Sequence, residues 1–255
     1  MRNPFRVAML TACLGAVGLP VLAQERALSF SLTGGAAFAP AYFGASHYRV
    51  SPMGRFSFSG LSFGPAQFGS TDGPVQFAPG AGLRGAFRYI PERRGRNELA
   101  GMDRVGAAVE LGLGLHYTAE SWQVFADLRY GALGHRALAG EIGANAIYRG
   151  PDGLVLHAGP RAEFGDRRFA QTYFGVTAAE STASGLAPFS AGAGVHSLGF
   201  EVGAYQALSA DWGVTGSLRL DRLRGDAAAS PIVQQGRRDQ FSAEIGLTRH
   251  FNLRF

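Results

Sequence analysis

The chain has 255 residues, enough for one large domain or two small ones, and its hydrophobic fraction of 46% is ordinary. The formal net charge is +5, or +3 without the two Arg residues of the N-terminal segment, and every strong base is Arg because the sequence contains no Lys. The sequence pI of about 9.8 does not predict nucleic-acid binding, since the Arg residues are scattered in runs of no more than two and suit an anionic membrane surface equally well.

Residues 1–23 have the features of a secretory signal peptide: two Arg residues, a mostly apolar run and a small-residue cleavage site ending at Ala23. A membrane-anchoring helix is disfavoured, because Gly and Pro interrupt a run shorter than the ~20 residues of a comfortable span. Lipidation at Cys13 is the lesser alternative, because only about six apolar residues precede it. Cleavage after Ala23 leaves a single domain, 24–255, with no cysteine and therefore no disulfide.

From residue 27 onward apolar and polar residues alternate with period two, which is the signal of β-strands. Beyond Phe58 the apolar phase flips, so that Leu61 and Phe63 no longer continue the series of Phe56 and Phe58. This flip indicates either a bulge inside one long strand or a further element, and it leaves twelve strands open beside the favoured ten. The ten predicted strands lie near residues 27–38, 47–58, 74–90, 105–118, 121–133, 137–149, 153–165, 193–207, 211–225 and 238–255.

Short and long connections alternate between these strands, and aromatic residues flank the short ones. One face of the strands is almost continuously apolar, whereas the other carries Gly, Ser and isolated charges. A β-sandwich would instead solvate its polar faces with many charges. The pattern therefore predicts an all-β fold: a transmembrane antiparallel up-and-down β-barrel with a small polar lumen, long extracellular loops and both termini on the periplasmic side. Arg249 is the exception in the apolar series, explained either by snorkelling or by a nearby bulge.

The polar faces of the predicted strands place charges of both signs in the lumen. Because a buried unpaired charge is costly, we expect these residues to form structural ion pairs. A Ser-His-acid site, involving the inward His116, His157 or His250, is the less favoured alternative. The predicted lumen charges are Arg84, Arg88, Glu110, Asp127, Arg129, Arg161, Glu163, Glu201, Arg219 and Glu244.

Sequence motifs do not predict a metal, a cofactor or a catalytic residue. The GxGxxG match at 80–85 and the GxSxG match at 60–64 both lie in strand-like runs without the strand–turn–helix context that their chemistry requires. The six His residues have none of the spacings typical of metal ligands.

The connection 165–192 is the longest and the most aromatic. Phe169, Tyr173, Phe174 and Phe189 are unexpected in a solvated loop, so we expect the loop to fold back. It then either plugs the barrel mouth, which is slightly favoured, or forms a surface for a partner.

Several short motifs together resemble the MipA/OmpV family of Gram-negative outer-membrane proteins. They occur in a fixed order and include LRYGALGHRAL (128–138), QTYFGVT (171–177), SPIV (230–233) and GLTRHF (246–251). The resemblance implies an outer-membrane β-barrel that contacts lipid and lipopolysaccharide and supplies no catalytic residues. It also implies scaffolding of a lytic transglycosylase and a penicillin-binding protein during murein growth. The first loop departs from the family pattern, with His47 in place of acidic residues. A narrow pore for small polar solutes and, less favoured, a lipid-modifying barrel enzyme are the alternatives.

The last strand continues its apolar series to the final residue, with Phe251, Leu253 and Phe255 on one face. By resemblance to outer-membrane proteins in general, these residues are expected to form the signal that the barrel-assembly machinery reads. Deleting Phe255 should therefore lower the yield of protein in the outer membrane more than it lowers the stability of the refolded barrel. Quantitative immunoblotting of membranes, set against urea unfolding of refolded protein, tests this expectation; a normal membrane yield would contradict it.

Overall fold

The computed structural model describes residues 26–63, 66–69 and 77–255, so the predicted signal peptide lies outside the described residues. The strands form a single antiparallel sheet. Their bounds are β1 Arg26–Pro40, β2 Tyr48–Phe63, β3 Ala66–Gly69, β4 Gly80–Ile90, β5 Ala108–Thr118, β6 Trp122–Leu133, β7 Leu138–Arg149, β8 Leu154–Gly165, β9 Gly194–Ala207, β10 Trp212–Leu223 and β11 Asp239–Arg254.

The sheet curls into a nearly closed barrel in which the first and last strands pair. Its order is β3-β2-β1-β11-β10-β9-β8-β7-β6-β5-β4. Strand β3 pairs with the Gly60–Phe63 end of β2, while β4 lies beside the remainder of β2 and runs in the same direction as β3. Together β3 and β4 occupy one position in the wall, which gives ten positions. The prediction of a ten-stranded antiparallel barrel is thereby confirmed.

The phase flip after Phe58 has two structural causes. In the pairing of β1 with β2, Phe30 lies opposite Phe58 and Ser29 lies opposite Gly60, so Ser59 is an extra residue without a partner. This bulge moves the following residues to the other phase of the strand. In addition, the chain turns back to form β3. Both alternatives raised by the sequence are therefore present, and β2 extends five residues beyond its predicted end.

The outer face of the barrel is a continuous apolar girdle. Leu113, Leu115 and Ile245, for example, each expose about two-thirds of their surface. A contiguous surface of this kind is a liability in water and is the expected boundary with lipid. Aromatic pairs lie towards both rims: Tyr117 and Trp122 at the end with the short turns, and Phe38 stacked on Tyr48 at the end with the long loops. We call these ends the short-turn end and the long-loop end.

Arg249 lies on the outer face near the short-turn end. Its guanidinium carbon is 5.2 Å from the Trp212 ring centroid and 5.1 Å from that of Phe251. The register of β11 is continuous around it, so a bulge does not account for its position. The side chain instead rests on the aromatic rim, as expected for an Arg that snorkels towards the interface.

The end of the last strand is held by the first. The Phe255 N–H donates to the Arg26 carbonyl oxygen at 2.9 Å, and the Arg26 N–H donates to the Phe255 carbonyl oxygen at 3.2 Å. The Phe251 ring stacks on that of Phe30 at a centroid distance of 4.9 Å, whereas Leu253 and Phe255 point outward and are exposed. Their role as an assembly signal stays a prediction.

Short helices occupy the long loops, which the strand-centred sequence analysis did not anticipate. They are α1 Arg167–Phe174, α2 Ala178–Ser184, α3 Gly225–Ala229 and α4 Pro231–Gln234, with a single 3-10 turn at Asn97–Leu99. A second 3-10 turn, Pro151–Gly153, lies in the short connection between β7 and β8. Local signals for the first two exist in the sequence: Asp166 caps α1, and the pattern Thr177-x-x-Glu180 forms the capping box of α2. Within the described part of the chain, every helix is too short or too polar to cross a membrane.

Candidate functional site: the lumen and its cap

The barrel encloses a cavity of about 960 Å³ lined by the inward residues of its strands. Glycine is required at inward positions where a neighbouring side chain approaches the backbone. A Cβ on Gly114 would lie 1.9 Å from Oδ1 of Asp127, and one on Gly203 would lie 2.1 Å from Cε1 of His157. The Gly-rich polar face of the strands therefore makes room for the charged side chains that cross the lumen.

Three carboxylates form a row across adjacent strands. Asp127 on β6 lies opposite Glu141 on β7, which in turn lies opposite Glu163 on β8. Like charges in directly opposite positions destabilise a sheet unless cations compensate them. Arg219 on β10 supplies much of that compensation, because its guanidinium is 2.6 Å from Glu141 Oε2, 3.1 Å from Glu163 Oε1 and 2.7 Å from Asp221 Oδ2.

The remaining lumen charges are paired in the same way. All ten predicted lumen charges point inward and have an oppositely charged partner. So does Glu141, which the strand alternation also places inward, and the structure adds Arg55 and Asp221 to the network. Asp221 follows Arg219 by two residues on the same face, a signal that the sequence analysis overlooked. The further pairs are Arg84–Asp127 at 3.2 Å, Arg88–Glu163 at 3.1 Å, Arg129–Glu110 at 2.8 Å, Arg161–Glu201 at 2.8 Å and Arg55–Glu244 at 3.0 Å.

The inward histidines belong to this polar network. Nε2 of His157 is 3.3 Å from Glu201 Oε1, and Nε2 of His250 is 2.7 Å from the Tyr205 hydroxyl. His116 also lines the cavity. Over residues 26–63, 66–69 and 77–255, no group of three or more His, Cys, Asp or Glu side chains is placed to hold a metal ion.

The long loops fold together over one mouth of the barrel. We call this assembly the cap; it comprises residues 41–47, 91–107, 166–193 and 224–238. Phe169, Tyr173 and Phe174 are buried in its hydrophobic core, and Phe189 is half-buried against it. Their burial means that these aromatic side chains pack inside the cap and are not displayed to solvent.

Polar contacts join the separate loops of the cap. Arg93 donates from Nη1 to the Tyr173 carbonyl oxygen at 3.0 Å, and the Ser230 hydroxyl donates to the Phe174 carbonyl oxygen at 2.6 Å. Both donors are buried, so these bonds would be costly to break. Tyr173 and Arg93 also line the cavity, which makes the cap the roof of the lumen.

Glu180 links two loops of the cap, and its ionisation contributes to their stability. Its carboxylate accepts from the Thr177 N–H at 2.9 Å, from the Thr177 hydroxyl at 2.9 Å and from the Asp103 N–H at 3.2 Å. Burial alone raises the pKa of this carboxyl, but the donors of Thr177 and Asp103 outweigh burial and hold the pKa below its usual value. The stabilisation is therefore fully present above the unfolded-state pKa of about 4.3 and is lost as pH falls through the folded-state pKa.

Hydrogen exchange of residues 178–184 should consequently accelerate below about pH 4, relative to the intrinsic exchange rate. Glu180→Gln should exchange faster at pH 7 and should lose most of this acid dependence, because the amide has no charge to titrate. The expectation fails if the wild type and the variant show the same relative change between pH 6 and pH 3.

Comparison with known proteins identifies one sequence family. A family model described as MltA-interacting protein MipA matches residues 32–251. No curated protein matches the chain in sequence.

Solved outer-membrane proteins resemble the chain only remotely. OprG from Pseudomonas aeruginosa shares 14% identity, with 89% of this chain and 97% of that chain covered and a TM-score of 0.31. Ail of Yersinia pestis shares 9% identity, with coverages of 88% and 99% and a TM-score of 0.28. The channel DcaP of Acinetobacter baumannii shares 9%, with 89% and 97% covered and a TM-score of 0.33. Because all three TM-scores are below 0.5, these similarities do not establish the fold. The fold is assigned from the strand pairing.

Proposed function

The chain belongs to the MltA-interacting protein MipA family, and from this premise we propose that it is an outer-membrane interaction protein rather than a channel or an enzyme. One observation carries the proposal: the lumen is crossed by ion pairs and roofed by a packed cap. The surfaces available to a partner are then the outside of the cap and the short-turn end. The cap faces the exterior and the short turns face the periplasm in the proposed orientation, which follows the rule of short periplasmic turns.

The partner that the family description suggests is a lytic transglycosylase of the MltA type. We propose that the barrel holds this enzyme, together with a penicillin-binding protein, at the outer membrane. The same proposal includes export by residues 1–23, insertion by the barrel-assembly machinery and contact of the girdle with lipid and lipopolysaccharide.

Periplasmic contacts would have to use the short turns. The side chains of Glu120 and Asp211 are exposed there, and the Asp211 carbonyl oxygen accepts from the His250 N–H at 2.8 Å, which fixes the turn to the barrel. Because a standard complex buries about 1,600 Å² in total, a partner would have to span several turns at once. Changing charges in two different turns should therefore weaken the complex.

Affinity capture from detergent-solubilised outer membranes tests the proposal. The intact barrel should enrich an MltA-type transglycosylase relative to an unrelated barrel. Glu120→Arg with Asp211→Arg should reduce that enrichment at least fivefold. The matched control is Asp239→Arg at the long-loop end, where the side chain is exposed in a pair with Arg222. Equal recovery on the intact barrel and the unrelated barrel would contradict the scaffold role.

A narrow pore is the second candidate, because the cavity is large enough to hold small solutes. Recordings in planar bilayers separate the two functions. We expect no unitary conductance at any voltage, since both the ion pairs and the cap obstruct the path. Reproducible channel events from the purified wild type would favour the pore.

Enzymatic activity is the least favoured function. Each of the seven inward carboxylates on the described strands has an Arg partner within 4 Å, so a general base would first have to be released from an ion pair. Incubation with phospholipid and lipopolysaccharide, followed by mass spectrometry of the lipids, should reveal no turnover. Hydrolysis that a lumen Ser or His variant abolishes would overturn this expectation.

A further inference from the structure

Among the described strands, the barrel wall contains one seam. All other neighbouring strands pair through backbone hydrogen bonds, but the sheet order places β2 and β4 without such pairing in the described part of the chain. The two strands are nevertheless close, since a Cβ on Gly85 would lie 3.5 Å from the Phe56 carbonyl oxygen. A Cβ on Gly85 would lie 2.6 Å from Cδ1 of Phe56, and a Cβ on Gly54 would lie 3.9 Å from Cε1 of Phe87. Unpaired strand edges facing lipid are costly, so a seam in the wall calls for an explanation.

The cavity extends into this seam. Its lining includes Leu83, Phe87 and Tyr89, which belong to the outer phase of β4 and expose 48%, 37% and 39% of their surface. From the β2 side it includes Pro52 and Phe58. Residues of the lipid-facing surface and residues of the lumen therefore line one continuous space, which gives the lumen a sideways opening at the level of the apolar girdle.

All of the charged side chains on the two strands that border the seam are basic. Their only strongly charged side chains are Arg49 and Arg55 on β2 and Arg84 and Arg88 on β4, and all four line the cavity. The acids that balance three of them lie on distant strands: Glu244 on β11, Asp127 on β6 and Glu163 on β8. The seam side of the cavity is thus positively charged, and the opposite side carries the acidic row.

Arg49 forms no ion pair within 4 Å with a described residue, and Glu92 attracts it only from a greater distance. Its Nε and Nη2 atoms are buried and make no hydrogen bond to any described residue. Arg49 as a whole is half-buried, but buried polar atoms without partners are rare in folded proteins. A guanidinium can donate from two nitrogen atoms at once to a carboxylate or a phosphate. Arg55, on the same face of β2, has only an exposed pair with Glu244.

We infer that the cavity binds a single-chain amphiphile with an anionic head group, which enters from the bilayer through the seam. The acyl chain lies along Phe58, Leu83 and Phe87, and the carboxylate or phosphate head meets Arg49. A volume of about 960 Å³ is within the range of pockets that enclose such molecules. This ligand role does not depend on the proposed scaffold function.

Native mass spectrometry of the intact barrel, released from detergent micelles, tests the ligand class. The probes are palmitate, palmitoyl lysophosphatidate and the uncharged hexadecanol. We expect a one-to-one adduct with either anion, at least tenfold weaker in Arg49→Gln, and no comparable adduct with hexadecanol. The relative affinity of the two anions identifies the head group. The control is Arg222→Gln, whose side chain is exposed in a pair outside the cavity and which should bind like wild type.

Equal adducts with hexadecanol and palmitate, equal binding by Arg49→Gln and wild type, or no adduct with any probe would each overturn the inference. Folding of every variant is checked by its heat-dependent mobility in detergent gels. Arg49→Gln is expected to fold, because the replaced side chain has no ion pair to lose.

Closing the seam tests the route of entry. Phe56→Cys with Gly85→Cys places thiols on both sides of it, and the chain's single natural cysteine, Cys13, lies in the predicted signal peptide. After joining with a short thiol cross-linker, loading of palmitate in phosphatidylcholine nanodiscs should slow at least tenfold. Leu113→Cys with Leu128→Cys, opposite one another on paired strands β5 and β6, is the matched control. Loading at the same rate with the seam bridged and unbridged would exclude lateral entry.

Discussion

Arg129→Ala should lower the free energy of unfolding of the barrel by about 3–5 kcal/mol. Glu110 is completely buried, and its carboxylate is held by Nε of Arg129 at 2.8 Å and faces Nε2 of His135 at 3.1 Å. Removing Arg129 leaves this buried carboxylate without its closest cation. Urea unfolding of the barrel in detergent micelles, followed by tryptophan fluorescence, measures the loss.

Two further variants show whether the loss comes from the uncompensated charge. Arg222→Ala breaks an exposed pair with Asp239 and should cost no more than about 1 kcal/mol. Glu110→Gln combined with Arg129→Met should be more stable than Arg129→Ala alone, because no unpaired charge remains buried. Equal losses in Arg129→Ala and Arg222→Ala would show that the lumen pair contributes no more than a surface pair.

Phe169→Ala should open the cap while leaving the barrel folded. The Phe169 ring is fully buried, its centroid lies 4.8 Å from that of Tyr173, and it stacks on His196 at 5.0 Å. Deleting a buried Phe side chain costs about 3–5 kcal/mol. The lost free energy destabilises the closed cap and not the barrel, because Phe169 packs within the cap. The population of molecules with an open cap should therefore rise by roughly two to three orders of magnitude.

Limited proteolysis measures this opening. Trypsin cleavage after the exposed Arg167 or Arg168 should accelerate about 100-fold or more, provided that cleavage is slow relative to reclosing. Thr172→Ala is the matched control on the same helix, because its hydroxyl makes only a local bond to the Arg168 carbonyl oxygen, at 2.8 Å. Cleavage of the two variants at similar rates would show that the loop is not held by its aromatic core.

The outcome bears on the function of the cap. If the cap opens and the barrel then conducts, the lumen is a gated path and the interaction role is confined to the short-turn end. If the open cap leaves conductance absent, the ion pairs centred on Arg219 are sufficient to block the lumen. Either result assigns the obstruction to a particular set of residues.

Much of the barrel could be predicted from the sequence because a strand has a simple period. Alternate residues point to opposite faces, so Glu163 and Arg161 were assigned to the lumen without knowledge of their neighbours. The alternation of short and long connections likewise predicted the number and direction of the strands. The bulge at Ser59 is detectable in the sequence for the same reason, because one extra residue inverts the alternation of apolar and polar residues along the strand.

The cap could not be predicted in the same way. Its core combines Phe43, Phe169 and Val233 from three loops, and no local period connects residues that far apart in the chain. The helices α1 and α2 have capping signals, but their stability depends on burial against the other loops, because isolated helices of this length are marginal in water.

The amino-acid sequence alone is enough to assign residues to the lipid-facing or the lumen-facing side of the wall, because side chains alternate along each strand regardless of its neighbours. The three-dimensional structure was needed to show that Arg219 bridges Glu141 and Glu163, and that Nε and Nη2 of Arg49 make no hydrogen bond to a described residue. It also decided that β2 and β4 meet at a seam without pairing. These features depend on strand register and barrel closure, which bring together residues from 29 positions apart, as for Phe56 and Gly85, to 78 positions apart, as for Glu141 and Arg219. The alternation of residues along one strand does not encode such contacts.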